Sequence, residues 1–346
     1  MGTGAAPSRA SHAAPTDAPL AQVHAGIEEA FWQYFMDLAE GLVCLGRYDD
    51  ATRHLAHAVE LAAKFGSADP RLAKTLNALG VMHCRARNYA TAESLLRRAA
   101  RIYEAACGPM HPELGAVLHN LAGACKLQQK YESAEFECRR ALAITENAHG
   151  PQSLDVALVL DTLGDISIAL NRRSAALFAL RRELEIKETV VGAGDWSTAV
   201  TLAKLGEFYL AGGRYNEAEP LLHRALSIKQ KFLGASDPSL AKDLKRLAYS
   251  YSAQHKFYEA EPLFATALEM VKRVLGSKHP EIVRSLRDLA KTYREQARFS
   301  DTKALLEVSI AILEKGLGED HPETETALEF YTEILRILNR DKANES

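Results

Sequence analysis

The chain has 346 residues, 25% of them charged and 47% apolar, with a net charge of −3. That balance is ordinary for a folded soluble protein and gives no global reason to expect nucleic acid, and no apolar run approaches the roughly 20 residues of a bilayer-spanning helix. Five cysteines, an odd count with no Cys-x-x-Cys pair, argue against a disulfide framework and for a reducing compartment.

In chain order, residues 1–22 are rich in Ala, Ser and Pro and hold almost no large apolar side chain. Such a stretch cannot bury enough surface to offset its ordering entropy, so a disordered tail is expected there. Helical periodicity starts near Ile27. Phe31, Phe35, Leu38 and Leu42 share one face, Gly46-Arg47-Tyr48 makes a turn, and Ala51, Leu55, Ala58 and Leu61 share the face of a second helix. The pattern predicts seven such hairpins over residues 23–322. A capping helix and short tail follow over 323–346, the helix running from about Glu323 to Leu338 with Leu328, Tyr331, Leu335 and Leu338 as its buried stripe.

The hairpins repeat at a fixed step. Pro70, Pro112, Leu154, Trp196, Pro238, Pro280 and Pro322 follow one another every 42 residues, a period that means stacked repeats. In each first helix a small residue follows a leucine, at Ala39, Gly80, Ala122, Gly164, Gly206, Ala248 and Ala290, where two helices are expected to cross closely. Its receiver in the second helix is Ala51, Ala92, Ala134, Ala176, Ala218, Ala260 or Thr302. An aromatic three residues earlier (Tyr48, Tyr89, Tyr131, Tyr215, Phe257 or Phe299) is expected to plug the turn, with Arg173 in that place in the fourth hairpin. Gly66, Gly108, Gly150, Gly192, Gly234, Gly276 and Gly318 are expected to stop the second helices as left-handed caps. Asp69-Pro70 and Asp237-Pro238 supply an N-cap and a proline at the first helical position, and His111, His279 and His321 take the Asp place elsewhere. Pro220 and Pro262 are expected in first turns, where amide hydrogens have no partner in any case.

A leucine and a small residue, a small residue twelve later and another seven after that resemble the tetratricopeptide pattern. The 42-residue form, with Leu275-Gly-Ser-Lys-His279-Pro between units and Ala260-Glu-Pro-Leu-Phe within one, is similar to the repeats of kinesin light chains and nephrocystin-like proteins. The resemblance covers about residues 27–338. It implies an all-α, right-handed superhelical solenoid that binds protein or peptide partners along the groove formed by its first helices. It also implies that an Asn pair before the leucine holds bound backbone; here Asn77 and Asn120 stand at those places, and the other units depart from the pattern.

On the same register, groove-facing positions lie six, three and two residues before the small residue and one and four after it. In the sixth unit these are Lys242, Lys245, Arg246, Tyr249 and Ser252, and in the seventh Arg284, Arg287, Asp288, Lys291 and Arg294. Seven of the ten are basic in a slightly acidic protein, whereas the fourth and fifth units present Asp161, Asp165, Lys204 and Glu207. Such charge also suits a plain solvated helix face. Read as a site, it calls for a carboxylate-rich or phosphorylated segment, which Arg binds in bidentate fashion. Cys107-Gly-Pro-Met-His111 has half the spacing of a metal site, but no second ligand pair lies at zinc spacing, and His111 is explained by the repeat register. Cys84, Cys125 and Cys138 read as small core residues. No catalytic motif is present.

The expectation is therefore a non-catalytic, cytoplasmic adaptor or scaffold with no cofactor or metal. It binds an acidic peptide or protein segment through Lys242, Lys245, Arg246, Tyr249, Arg284, Arg287, Lys291 and Arg294, with Asn77 and Asn120 in the groove. The alternative is an architectural subunit of a ciliary, cytoskeletal or transport complex. Neither reading involves nucleic acid or membrane insertion, and the oligomeric state stays open.

Overall fold

The computed structural model describes residues 17–276, 279 and 281–345, with side chains described from Gly26 to Arg340 except at residues 277, 278, 280 and 281. The expected tail at residues 1–16 and the proline step at Pro280 lie outside the described residues. The fold is all-α and forms two compact units, one ending at Ala176 and the other beginning at Leu177.

The first unit holds three hairpins and a further helix: α1 (Asp17–Cys44) with α2 (Tyr48–Lys64), α3 (Pro70–Arg85) with α4 (Tyr89–Cys107), α5 (Pro112–Leu127) with α6 (Tyr131–His149), then α7 (Leu154–Ala169). Helix α8 (Arg173–Val190) runs across the division. The second unit continues with α9 (Trp196–Ala211) and α10 (Tyr215–Leu233), then α11 (Ala241–Ala253, after a 3-10 turn at Pro238–Leu240) and α12 (Phe257–Leu275). Next come α13 (Glu281–Glu295) and α14 (Phe299–Leu317), and α15 (Pro322–Glu345) closes the chain. In the first unit α2, α4 and α6 each pack on the next first helix, and in the second unit α10, α12 and α14 do so, so these hairpins bury their apolar stripes against their successors.

The small residues sit where the period places them. Ala51, Ala92, Ala134, Ala218, Ala260 and Thr302 are fully buried. A Cβ on Gly206 would stand 2.7 Å from Cγ and Cδ2 of Leu222, and one on Gly80 2.8 Å from Cγ of Leu96. The leucine four residues after the receiving alanine therefore fills the space that glycine leaves.

The two kinds of turn differ. Inside a hairpin, Gln129 adopts φ 61° and the Lys130 amide donates to the Cys125 carbonyl at 2.9 Å. This six-to-one bond is the Schellman closure. It recurs at Arg87, Asn171, His255 and Ala297, which with Gln129 make five non-glycine residues in the left-handed region among the described residues. Between hairpins Gly108 has φ 91° and ψ 166°, and Gly150 φ 84° and ψ 155°. These are extended positive-φ conformations open essentially only to glycine, rather than the left-handed helical cap expected. The next helix then starts on a side-chain cap. Asp69 accepts from the Arg71 amide at 2.8 Å, and Nδ1 of His111 and His321 accepts from the amides of Glu113 and Glu323 at 3.3 and 3.2 Å. Ser153 and Asp195 cap α7 and α9 in the same way.

Four further expectations are corrected. Helix α1 begins at Asp17 and takes in residues 17–22 of the expected tail; Ala18, Leu20 and Ala21 favour helix, and Pro19 falls in the first turn, where it removes no bond. Pro220 and Pro262 are the sixth residues of α10 and α12, one turn in, so each forgoes one intrahelical bond. The turn aromatics open the second helices half-buried rather than as plugs, and Tyr48 is exposed. Helix α15 runs on to Glu345, and its buried face carries Thr324, Ala327 and Ile334, while Leu328 is exposed. Ile334 packs with Ala290 and Leu306, and Tyr331 and Leu338 flank it. The steps from 327 to 331, 334 and 338 follow the helical period as well as the stripe chosen from the sequence does, and small Ala327 fits where Leu328 does not.

A polar clamp joins successive hairpins. Glu93, next to the receiving alanine, meets Lys130 at 2.6 Å and Gln128 at 2.9 Å. Glu219 meets Lys256 at 2.7 Å, Glu261 meets Arg298 at 2.8 Å, and Glu135 meets Arg172. All four pairs are 37 residues apart. Leu177 stands at the glutamate's place before Arg214, which instead binds Glu217 at 2.6 Å.

Candidate partner-binding site

In the second unit α11 and α13 carry the basic residues. Lys242, Arg284 and Lys291 are exposed, and Lys245, Arg246, Arg287 and Arg294 are half-buried. Several meet carboxylates of the same face. Arg246, its side chain 17% exposed, bonds Glu207 of α9 and reaches Asp243 at 3.3 Å, which in turn holds Lys229 at 2.7 Å. Lys245 lies 3.6 Å from Asp288, only 6% exposed, to which the Tyr249 hydroxyl also donates. Burial, then the Asp288 carboxylate, pushes the Tyr249 phenol well above its ordinary value. The Tyr249 ring packs edge-on against Phe264 at 5.2 Å. Arg294 meets Glu295 at 2.9 Å and Glu333 at 3.6 Å and lies over the Phe330 ring.

The like charges of the row are thus partly balanced from within, and the need for an outside counter-charge is smaller than the sequence suggested. Glu207, Asp288 and Glu333 supply that balance, and the sequence reading gave them no such role. A signal was present: Glu207 and Arg246, Tyr249 and Asp288, and Arg294 and Glu333 are each 39 residues apart, as are Lys126 and Asp165, which pair at 2.8 Å in the first unit. That spacing joins one hairpin's first helix to the next first helix. Lys242, Arg287 and Lys291 form no ion pair among the described residues, which leaves their charge available to a partner.

In the first unit Asn77 and Asn120 come together, the Asn120 amide donating to Asn77 at 2.9 Å. Beside them Nε2 of His119 lies 2.8 Å from the Thr162 hydroxyl. Burial, with Lys126 adding to it, lowers the His119 pKa and favours the neutral ring. The His111 ring is occupied by its capping bond and stacks on Tyr103 at 5.9 Å, while Cys107 is exposed. Among the described residues no group of three or more His, Cys, Asp or Glu side chains is placed to hold a metal. Cys125 and Cys138 are buried, and burial pushes the Cys138 thiol up to about 12. Cys84 is only half-buried. No helix of the described residues is long and apolar enough to cross a membrane.

The family profile of the tetratricopeptide repeat matches residues 33–105, 71–136, 113–189, 197–257 and 240–315. The chain belongs to the tetratricopeptide repeat family. Such repeats serve protein–protein interaction, and the all-α solenoid class expected from the sequence follows. No curated protein matches the chain. Among solved structures, BtubC (BKLC) from P. vanneervenii is 22% identical, with 66% of this chain and 92% of that one covered at a TM-score of 0.56. A putative kinesin light chain from Podospora anserina with nearly identical repeats is 23% identical over 60% and 98%, at 0.53. A STAND signal-transduction ATPase from Pyrococcus horikoshii with a tetratricopeptide repeat sensor is 15% identical over 88% of this chain and 44% of its own, at 0.62. At these identities the likeness concerns the fold alone.

Proposed function

We propose that this tetratricopeptide repeat protein is a non-catalytic adaptor that holds an acidic or phosphorylated segment on the first-helix face of its second unit. The observation that carries the reading is the unpaired state of Lys242, Arg287 and Lys291 among the described residues, beside cations already matched by Glu207, Asp243, Asp288 and Glu333. The paired cations fix the frame, and the unpaired ones are left for ligand carboxylates or phosphates, which Arg287 can take in bidentate fashion. Tyr249, half exposed between the rows, offers an apolar contact to the same segment.

A second reading, an architectural subunit of a larger assembly, is favoured by aromatics exposed on the second helices: Phe136 on α6, and Tyr258 on α12, which is 85% exposed. Fluorescence anisotropy separates the two, using a labelled Asp/Glu-rich peptide and its Asn/Gln counterpart at low and high salt. The adaptor binds the acidic peptide selectively and loosens its grip as salt rises. Equal binding of both peptides, or none, contradicts it.

A further inference from the structure

The first unit carries a pocket of different chemistry on the equivalent face. All five groove positions of the first hairpin, Gln33, Met36, Asp37, Glu40 and Val43, line a cavity of about 300 Å³ between α1 and α3. Ala78, Val81 and Met82 of α3 complete its apolar wall, with Leu55 of α2 behind them. Positions that are basic in the sixth and seventh hairpins are here apolar at the floor and acidic at the rim. Asp37 accepts a bond from the Gln33 amide at 2.6 Å, but neither Asp37 nor Glu40 forms an ion pair among the described residues. Lys74, the one cation of the lining, is directed to the Trp32 ring, its Nζ 6.0 Å from the centroid. The rim is therefore net negative. Two unbranched methionines adapt the wall to side chains of varied shape.

We infer that this pocket binds a protein segment carrying one bulky apolar side chain flanked by lysine or arginine. The apolar residue fills the cavity between Met36 and Met82, and the flanking cations meet Asp37 and Glu40. Its charge requirement is opposite to that of the second unit's basic row, so one acidic peptide cannot satisfy both, and the inference stands independently of the function proposed above. The cavity lies at the lower end of ligand-pocket sizes, which suits one or two side chains.

The chain offers a direct readout, because two of its five methionines, Met36 and Met82, line the pocket. Met110 is exposed elsewhere in the first unit and Met270 is in the core of the second. With methyl-13C methionine in the full chain, a synthetic peptide of Leu-Trp flanked by two lysines on each side is titrated in. The expected result is saturable shifts at Met36 and Met82 with Met110 and Met270 unmoved. Replacing Leu-Trp by Ala-Ala, or the lysines by glutamates, weakens binding at least tenfold. So does the variant Asp37→Lys with Glu40→Lys, both exposed, in which an unchanged Met270 signal reports an intact fold. The inference is overturned by absent shifts, by equal responses to the three peptides, or by undiminished binding to the variant. Shifts that follow protein concentration without peptide also overturn it and assign the pocket to a second copy of the chain.

Discussion

Glu93 and Lys130, 37 residues apart, close a 2.6 Å ion pair between α4 and the residue that caps α6, the second helix of the next hairpin. Burial alone would raise the Glu93 carboxyl, but hydrogen bonds from Lys130 and Gln128 hold it below the usual glutamate value. Because the contact recurs with the repeat, it acts on hairpin stacking rather than on any one helix. A double-mutant cycle on Glu93→Ala and Lys130→Ala should give a coupling of about 0.5 kcal/mol, modest because Lys130 is half exposed. Urea midpoints of the four proteins check it, and strict additivity would remove the clamp from the account.

Two glycines separate close packing from helix propensity. A Cβ at Gly206 meets Leu222, itself 1% exposed, whereas one at Gly123 meets nothing within 4 Å. Gly206→Ala should destabilise by about 1–3 kcal/mol through overpacking. Gly123→Ala should stabilise by up to about 1 kcal/mol, since it removes backbone freedom from the unfolded chain inside α5. Opposite signs in chemical denaturation are expected; equal signs would mean that the crossing is looser than described.

The half-buried ring of His119 makes stability depend on pH. Burial, then Lys126, depresses its pKa in the folded chain below the ordinary value of 6.5. The unfolded chain then takes up the proton first as pH falls. The associated stability is fully present above pH 6.5 and is lost as pH drops from there through the folded value, with a slope of at most about 1.4 kcal/mol per pH unit for one proton. His119→Gln should flatten the decline over the interval that opens below about pH 6.5. Thermal melts across that interval decide, and an unchanged slope would exclude His119 as its source.

Legibility followed the range of the interactions. The 42-residue period, the small crossing residues and the glycine stops are local or strictly periodic, so Gly206, Ala218 and Gly234 could be placed from the sequence. The stripe of α15 could not, because Ala327 and Ile334 are chosen by the shape of the preceding hairpin over the longer Leu328. The basic row was legible as composition, but its balance was not. Whether Arg246 is paired depends on Glu207 on another helix, and helix periodicity within one segment carries no trace of that; the 39-residue spacing does, but its meaning is read only once the helices are placed. The contrast between Arg246, tied to two carboxylates, and Arg287, tied to none among the described residues, is the part of the site that needed coordinates.

That contrast also selects the decisive measurement. Reversing Arg246 would place a third acid beside Glu207 and Asp243 and perturb the fold, so the test uses Lys242→Glu, Arg287→Glu and Lys291→Glu together. If each cation contributes about 1 kcal/mol to a carboxylate-rich ligand, the triple variant should bind the acidic peptide at least about 100-fold more weakly. Its helical content and melting midpoint should match the parent. Loss of binding with an intact fold is the predicted result. Undiminished affinity in a folded triple variant would contradict the assignment of the site to this face.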